Sequence, residues 1–231
     1  MRDQLELETF TAHREWTVEG VPVLTAELSL PRPTDSSSRA VRRLERYYQL
    51  YARSYLRYCE RWLFPQSAES CRLALETSAP LPQDSARLSH CVTCNGGGVL
   101  SLYTESTERC GGRTERRRHG DTWDLLTGYP IALNACFPRK SPWRKTLLRQ
   151  AEGEAERRER AGAARYYEGW RRELRRCFNP EHFYLSDTEL FWFYQLCTVA
   201  PSGEGIPVFS MSYGENDCFF PGNRAKIETE T

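Results

Sequence analysis

An α+β fold, with a mainly antiparallel sheet and two or three packed helices, is what this sequence predicts. Three observations carry that reading. Val21 to Leu30 is rich in aliphatic and β-branched residues and is closed by Pro31, Pro33 and Asp35, the mark of a strand. Val41, Leu44, Tyr48, Tyr51, Tyr55, Tyr58 and Trp62 then recur at steps of three and four, which gathers them on one face of a helix. Between Cys71 and Phe137 turn signals are so frequent that connections must be short, which favours antiparallel meanders over βαβ units.

Taken in order, residues 1–19 form an N-terminal segment, residues 20–213 a single domain and residues 214–231 a polar tail. Ser36 to Ser38 offer an N-cap for a helix over 36–63, which Pro65 ends. Its aromatic face, with Tyr48, Tyr51, Tyr55 and Trp62, is expected to cover the sheet, while Arg39, Arg42, Arg43, Arg46, Arg53 and Arg57 occupy the other faces. Arg72 to Glu76, residues 86–94, and Val99 to Thr104 read as strands, the last two separated by the Gly96-Gly97-Gly98 turn. Gly111-Gly112 interrupts the chain before an exposed strand over Arg113 to His119. Thr127-Gly128 turns it into a strand over Tyr129 to Leu133. Ser141-Pro142 opens a second helical region that runs toward Phe178, with proline at a position where its missing N–H has no partner to lose. Glu154–Arg158, Glu156–Arg160 and Glu168–Arg172 are spaced as helical ion pairs, and Gly153, Gly162 and Gly169 offer places for a break. Phe183 to Leu185 and Glu189 to Leu196 make a hairpin, and Ile206 to Ser212 the last strand.

The composition, 39% hydrophobic and 27% charged over 231 residues, is that of a globular chain rather than a disordered one. A net charge of +1 gives the chain as a whole no attraction for nucleic acid or anionic membrane, so any electrostatic partner must be read from local patches. The first residues, MRDQLELETFTAHREW, have no apolar core, and no run of about 18 apolar residues occurs anywhere. The expectation is a cytoplasmic protein without a membrane span. Nine cysteines, an odd number, fit reduced, buried small hydrophobes better than a disulfide framework.

No residue set supports catalysis. The sequence has no G-x-S-x-G elbow, and Gly96-Gly97-Gly98 lacks the Lys-Ser/Thr of a phosphate loop. Cys91 and Cys94 form a CxxC with no second pair to complete a zinc site, and His13, His90, His119 and His182 are scattered. No catalytic residue, metal or cofactor is expected, and the chain reads as a non-enzyme. A second reading is an RNA-binding module that uses the Arg/Tyr-rich first helix for phosphate contacts and stacking. Nucleic acid is the weaker of the two expectations, because the tyrosines and arginines fall on different helical faces.

A family resemblance adds to this. His182 to Tyr194, HFYLSDTELFWFY, looks like a stretch of the domain shared by the RsiV lysozyme-sensing anti-sigma factor and the N-terminal region of the PdaC peptidoglycan deacetylase. Val199-Ala200-Pro201 with Gly205 to Phe209, Cys110-Gly111-Gly112, Thr122 to Gly128 and Pro22 to Pro31 resemble further elements of that family, in its order. Arg113-Thr114 stand where the family has a small residue and a histidine. The resemblance implies an α+β domain of a bacterial, sensor type that binds a protein or a cell-wall ligand, in a family whose members are usually extracytoplasmic.

The ligand is expected at turns presented by a rigid sheet, where glycines let backbone amides approach a partner. Those positions are Gly111, Gly112 and Arg113, the Trp123–Tyr129 hairpin, and Pro201 and Glu204.

Overall fold

The computed structural model describes residues 4–223. It is an α+β protein with a mostly antiparallel sheet. The elements are β1 (Leu7–Val18), β2 (Val21–Pro33), α1 (Arg39–Tyr58), α2 (Phe64–Thr77), β3 (Asp84–Gly96), β4 (Val99–Cys110), β5 (Arg113–Asp124), β6 (Tyr129–Pro130), α3 (Trp143–Arg160), α4 (Trp170–Arg176), β7 (Phe183–Leu185), β8 (Glu189–Phe193) and β9 (Val208–Ser212). One sheet has the order β1-β2-β3-β4-β5-β6 and a smaller one the order β7-β8-β9. Among the described residues no helix is long and apolar enough to cross a membrane.

Two compact units divide the chain. The first unit is Glu6–His90 with Thr104–Arg117; the second takes in Cys91–Tyr103 and the chain from Arg118 onward. Strands β3, β4 and β5 each contribute to both.

Two-residue turns set the sheet order. Glu19-Gly20, Gly97-Gly98 and Gly111-Gly112 join β1 to β2, β3 to β4 and β4 to β5, and every one of these six residues has positive φ. Positive φ at both central positions is the requirement of the type I′ turn, whose twist matches that of antiparallel strands. Residues 7–18, read in sequence as a segment before the domain, are therefore β1, paired with β2 from Leu7↔Pro33 to Val18↔Val21. Pro31 and Pro33 lie inside β2 rather than ending it. They sit beyond Leu28, where the pairing with β3 stops, so no ladder bond to β3 is lost.

In the first unit β2 is also paired in parallel with β3, Leu24↔Asp84 to Leu28↔Leu88, and the crossover between them is helical. This is one βαβ unit that the meander reading does not contain. Pro65 does not end the helix. It stands in the first turn of α2, where its missing N–H costs nothing, and the chain stays helical from Arg39 to Thr77 through a π-helical segment, Cys59–Leu63. Arg72 to Glu76, expected as a strand, belongs to α2. Ala40, Leu44, Tyr48, Ala52 and Tyr55 are buried, and α1 packs on β2. Tyr51 is half-buried, and Trp62 is 65% exposed, against the expectation that it covers the sheet. The wider π turn shifts the buried stripe by about one residue, so Cys59 and Leu63 point inward in its place. The phenols explain why this face is tyrosine. Tyr51 lies 3.2 Å from the Thr104 hydroxyl, Tyr55 donates to the Arg87 carbonyl, and Tyr58 donates to Glu108 at 2.9 Å.

In the second unit β7, β8 and β9 align Phe183↔Trp192, Leu185↔Leu190, Leu190↔Met211 and Trp192↔Phe209. That face forms a core with Leu147, Ala151 and Ala155 of α3 and Trp170 and Leu174 of α4. Gly162 and Gly169, both of positive φ, separate α3 from α4, whereas Gly153 stays helical. Of the expected pairs, Glu154–Arg158 and Glu156–Arg160 form; Arg172 instead meets Glu173. The strand expected over Tyr129 to Leu133 is only β6, followed by a 3₁₀ turn at Leu133–Cys136. Part of the expected polar tail is structural: Cys218 is buried and the Phe219 N–H donates to the Cys136 carbonyl. Residues 224–231 of that tail lie outside the described ones.

Gly120 in β5 is packed directly on β7. A Cβ built there would stand 1.8 Å from the Phe183 carbonyl oxygen, whereas one on Gly153 would meet nothing. Gly120→Ala is therefore expected to destabilise the protein by about 3 kcal/mol or more, because backbone cannot yield as a side chain can. Gly153→Ala is expected to stabilise it by about 0.5–1 kcal/mol. Urea denaturation of both variants measures the contrast.

All nine cysteines are free thiols. Cys91 and Cys197 are exposed, whereas burial pushes Cys59, Cys94 and Cys218 up to about 12. Timed thiol labelling of native protein is expected to modify Cys91 and Cys197 first. Cys59, Cys94 and Cys218 should react only after denaturant is added.

Candidate functional site

Strand alternation builds a polar face on the first unit. In β2 and β3 the residues that meet the core are Leu24, Ala26 and Leu28, and Ala86 and Leu88. Thr25, Glu27, Ser85 and Arg87 therefore point the other way. The parallel register sets Thr25 beside Ser85 and Glu27 beside Arg87, a rung of hydroxyls next to a rung of charge. Thr107 and Arg109 of β4 extend the row. Together they floor a groove of about 850 Å³ whose rim includes Pro22 and Leu81.

The charges in the groove are unequal. Arg87 donates to Glu27 at 2.7 Å. Arg109 has no acidic partner among the described residues, and the hydroxyls of Thr25, Ser85 and Thr107 have no hydrogen-bond partner there. One cation and three hydroxyls are thus available to a ligand.

Asp84 connects this groove to the Gly111-Gly112 turn. Its buried carboxylate accepts from the Ser67 hydroxyl at 2.8 Å and from the Gly111 N–H at 3.4 Å. Cys110 lies 3.6 Å from the Ser67 oxygen, and burial holds its thiol above the ordinary range. These bonds fix the turn against α2.

The sequence-predicted site residues are dispersed. Gly111, Gly112 and Arg113 belong to the first unit, with Arg113 exposed and open space where a Cβ on either glycine would stand. Trp123, Tyr129, Pro201 and Glu204 belong to the second. Trp123 is buried at the end of β5, so its ring offers no contact surface. Tyr129 is exposed, as is Leu126 at the tip of the same hairpin, a turn fixed by Asp124 Oδ1 accepting the Leu126 N–H. Pro201 caps a short 3₁₀ turn, Ser202–Glu204, whose last residue, Glu204, is exposed. The groove residues were missed because the pairing of Thr25 with Ser85 spans a helical crossover. Period-two alternation marks Thr25 and Glu27 as outward-facing but cannot name their partners.

The His182–Tyr194 stretch has a different role. Phe183, Leu185, Leu190, Trp192 and Tyr194 lie in the core. On the opposite face Tyr184 stacks on Phe191, His182 stacks on Phe193, and the Arg118 guanidinium lies 4.1 Å from the centre of the Tyr103 ring.

The fold is shared with DUF3298 proteins. A member of that family from Bacteroides fragilis superposes with a TM-score of 0.70 at 13% identity, covering 97% of this chain and 98% of that one. A DUF3298 family protein from Pseudomonas aeruginosa gives 0.63 at 14%, covering 95% and 96%. Neither a family model nor a curated protein matches the sequence. At these identities the likeness is one of fold, and DUF3298 is itself a domain of unknown function.

His119 and His182 in the second unit titrate in opposite senses. The Asp121 carboxylate, 3.2 Å from His119 Nε2, raises the first; burial lowers the second, helped by His119 nearby. A raised histidine adds stability that is present below about pH 6.5 and is lost as pH rises through its folded value. A lowered one removes stability as pH falls from about 6.5 toward its folded value. Denaturation midpoints at pH 7.5 and 5 are expected to show His182→Gln relieving the acid-side loss and His119→Gln deepening it.

Proposed function

We propose that this chain is a non-enzymatic binding domain whose ligand lies in the groove over Thr25, Ser85, Thr107 and Arg109. One observation carries the reading: an unpaired guanidinium and three unsatisfied hydroxyls converge on one rigid sheet face. Such a floor suits a polar ligand with an acidic group, since arginine grips a carboxylate or phosphate with two parallel donors. The apolar rim suits short aliphatic parts of the same molecule.

The resemblance to the RsiV and PdaC-like family supports a sensor-type domain and points to a cell-wall fragment or a signalling protein. A muropeptide fits the groove by chemistry, because it carries hydroxyls, carboxylates and small aliphatic side chains. Gly111 and Gly112, tied to the groove floor through Asp84, stand as the turn whose position a bound ligand senses.

Calorimetric titration with soluble muropeptides, and separately with lysozyme, tests the proposal. Muropeptide binding is expected, without turnover, and Arg109→Ala should weaken it by about tenfold or more, the worth of a charge-assisted hydrogen bond. Arg113→Ala with Glu204→Ala should leave it nearly intact. Binding indifferent to Arg109→Ala at unchanged stability, or a hydrolysed product, defeats the reading.

A further inference from the structure

The fold treats its arginines in two ways. Several in the second unit are neutralised: Arg157 and Arg158 meet Glu154, Arg160 and Arg171 meet Glu156, and Arg175 meets Glu152. Along α1 and the π-helical segment five are not. Arg39, Arg46, Arg53, Arg57 and Arg61 are exposed, and among the described residues none has an acidic partner. Residues 39–63 hold seven arginines and two glutamates, in a chain whose net charge is only +1.

These arginines form a line. At 100° per residue, those of α1 fall within about 40° of one another's axis, and the row spans roughly 33 Å. Like charges so spaced on a helix repel, so the helix is less stable alone than with an anionic partner. Arg42, by contrast, donates to the Ser36 and Ser37 carbonyls and is used within the fold.

Two apolar side chains identify the partner. Leu50 lies within the row and is 50% exposed; Trp62, next to Arg61, is 65% exposed. Of the rings on this helix, Tyr48 and Tyr55 are withdrawn against the sheet. A nucleic acid would match the charge and stack on Trp62, but it would leave Leu50 without a role. A bilayer surface matches both, with lipid phosphates for the guanidiniums and the headgroup boundary for leucine and tryptophan.

We infer that the Arg39–Arg61 row is a docking surface for an anionic lipid bilayer, independent of the groove on the same unit. Sedimentation of the full chain with vesicles tests it. Binding is expected to phosphatidylcholine vesicles containing phosphatidylglycerol, not to phosphatidylcholine alone, and to weaken as salt rises. Arg46→Ala with Arg53→Ala should lower partitioning roughly 30-fold. Leu50→Asp should also lower it, with an unchanged circular dichroism spectrum showing that the fold survives. Failure to sediment with anionic vesicles overturns the inference, as does binding that the double arginine variant leaves unchanged. Duplex RNA bound more tightly than anionic vesicles, with Leu50→Asp having no effect on either, assigns the row to nucleic acid instead.

Discussion

The second unit rests on the close approach of two backbones. At Gly120 the strand β5 comes so near Phe183 that there is no room for even a methyl group. Around that point the contacts are polar and directed. The Leu185 N–H donates to the Ser101 hydroxyl at 2.8 Å, and Ser101 is also 2.8 Å from the Thr122 hydroxyl. The Gln195 side-chain amide accepts from the Arg118 N–H and donates to its carbonyl, as a neighbouring strand would. With the hairpin held this way, Phe183, Leu185 and Trp192 face α3 and α4, and the core follows from their alternation. A buried hydroxyl and an amide serve where a continuous ladder would otherwise be needed, and each satisfies backbone groups that would be costly to leave unpaired.

The first unit uses a different economy. Its helix covers the sheet with tyrosines, and the phenols of Tyr51, Tyr55 and Tyr58 each reach a polar group on β3 or β4. The Tyr58–Glu108 bond is the sharpest case: the carboxylate is buried, and burial together with that bond raises the phenol above its ordinary range. A phenylalanine stripe would bury as much apolar area but would leave the Glu108 carboxylate short of a donor. Polar residues of β4 can therefore face the helix on one side while Thr107 and Arg109 face the groove on the other.

Local signals were read well from sequence and long-range ones were not. The strand at Val21, the helix cap at Ser38, the glycine turns and the hairpin at Phe183 follow from turn chemistry and period, and the structure has them. Pro65 misled because proline is equally at home where a helix ends and in the first turn of the next. Arg72 to Glu76 misled because a short alternating run does not distinguish a strand from a helix seen over one turn. Nothing local at Gly120 reveals that another backbone lies against it. Of the candidate site, the Gly111-Gly112 turn was legible and the groove beside it was not, because a parallel pairing across a helical crossover leaves no mark on either strand alone. The family signature at His182 to Tyr194 was conspicuous for packing: most of its aromatic rings fill the core or stack on one another.

The π-helical segment at Cys59–Leu63 has a further consequence. It acts as a rotary joint, resetting angular phase while the chain remains continuous helix. Upstream and downstream faces can then be tuned separately, since the buried side of α2 need not lie on the extension of the buried side of α1. Closing the segment to α-helical pitch without changing its length would turn everything beyond it by about 100° relative to what precedes it. Ser67, Cys71 and Ala74 would leave the interior together, and Asp84 would lose the hydroxyl it is bonded to. The pitch of these five residues thus governs the orientation of a whole helix.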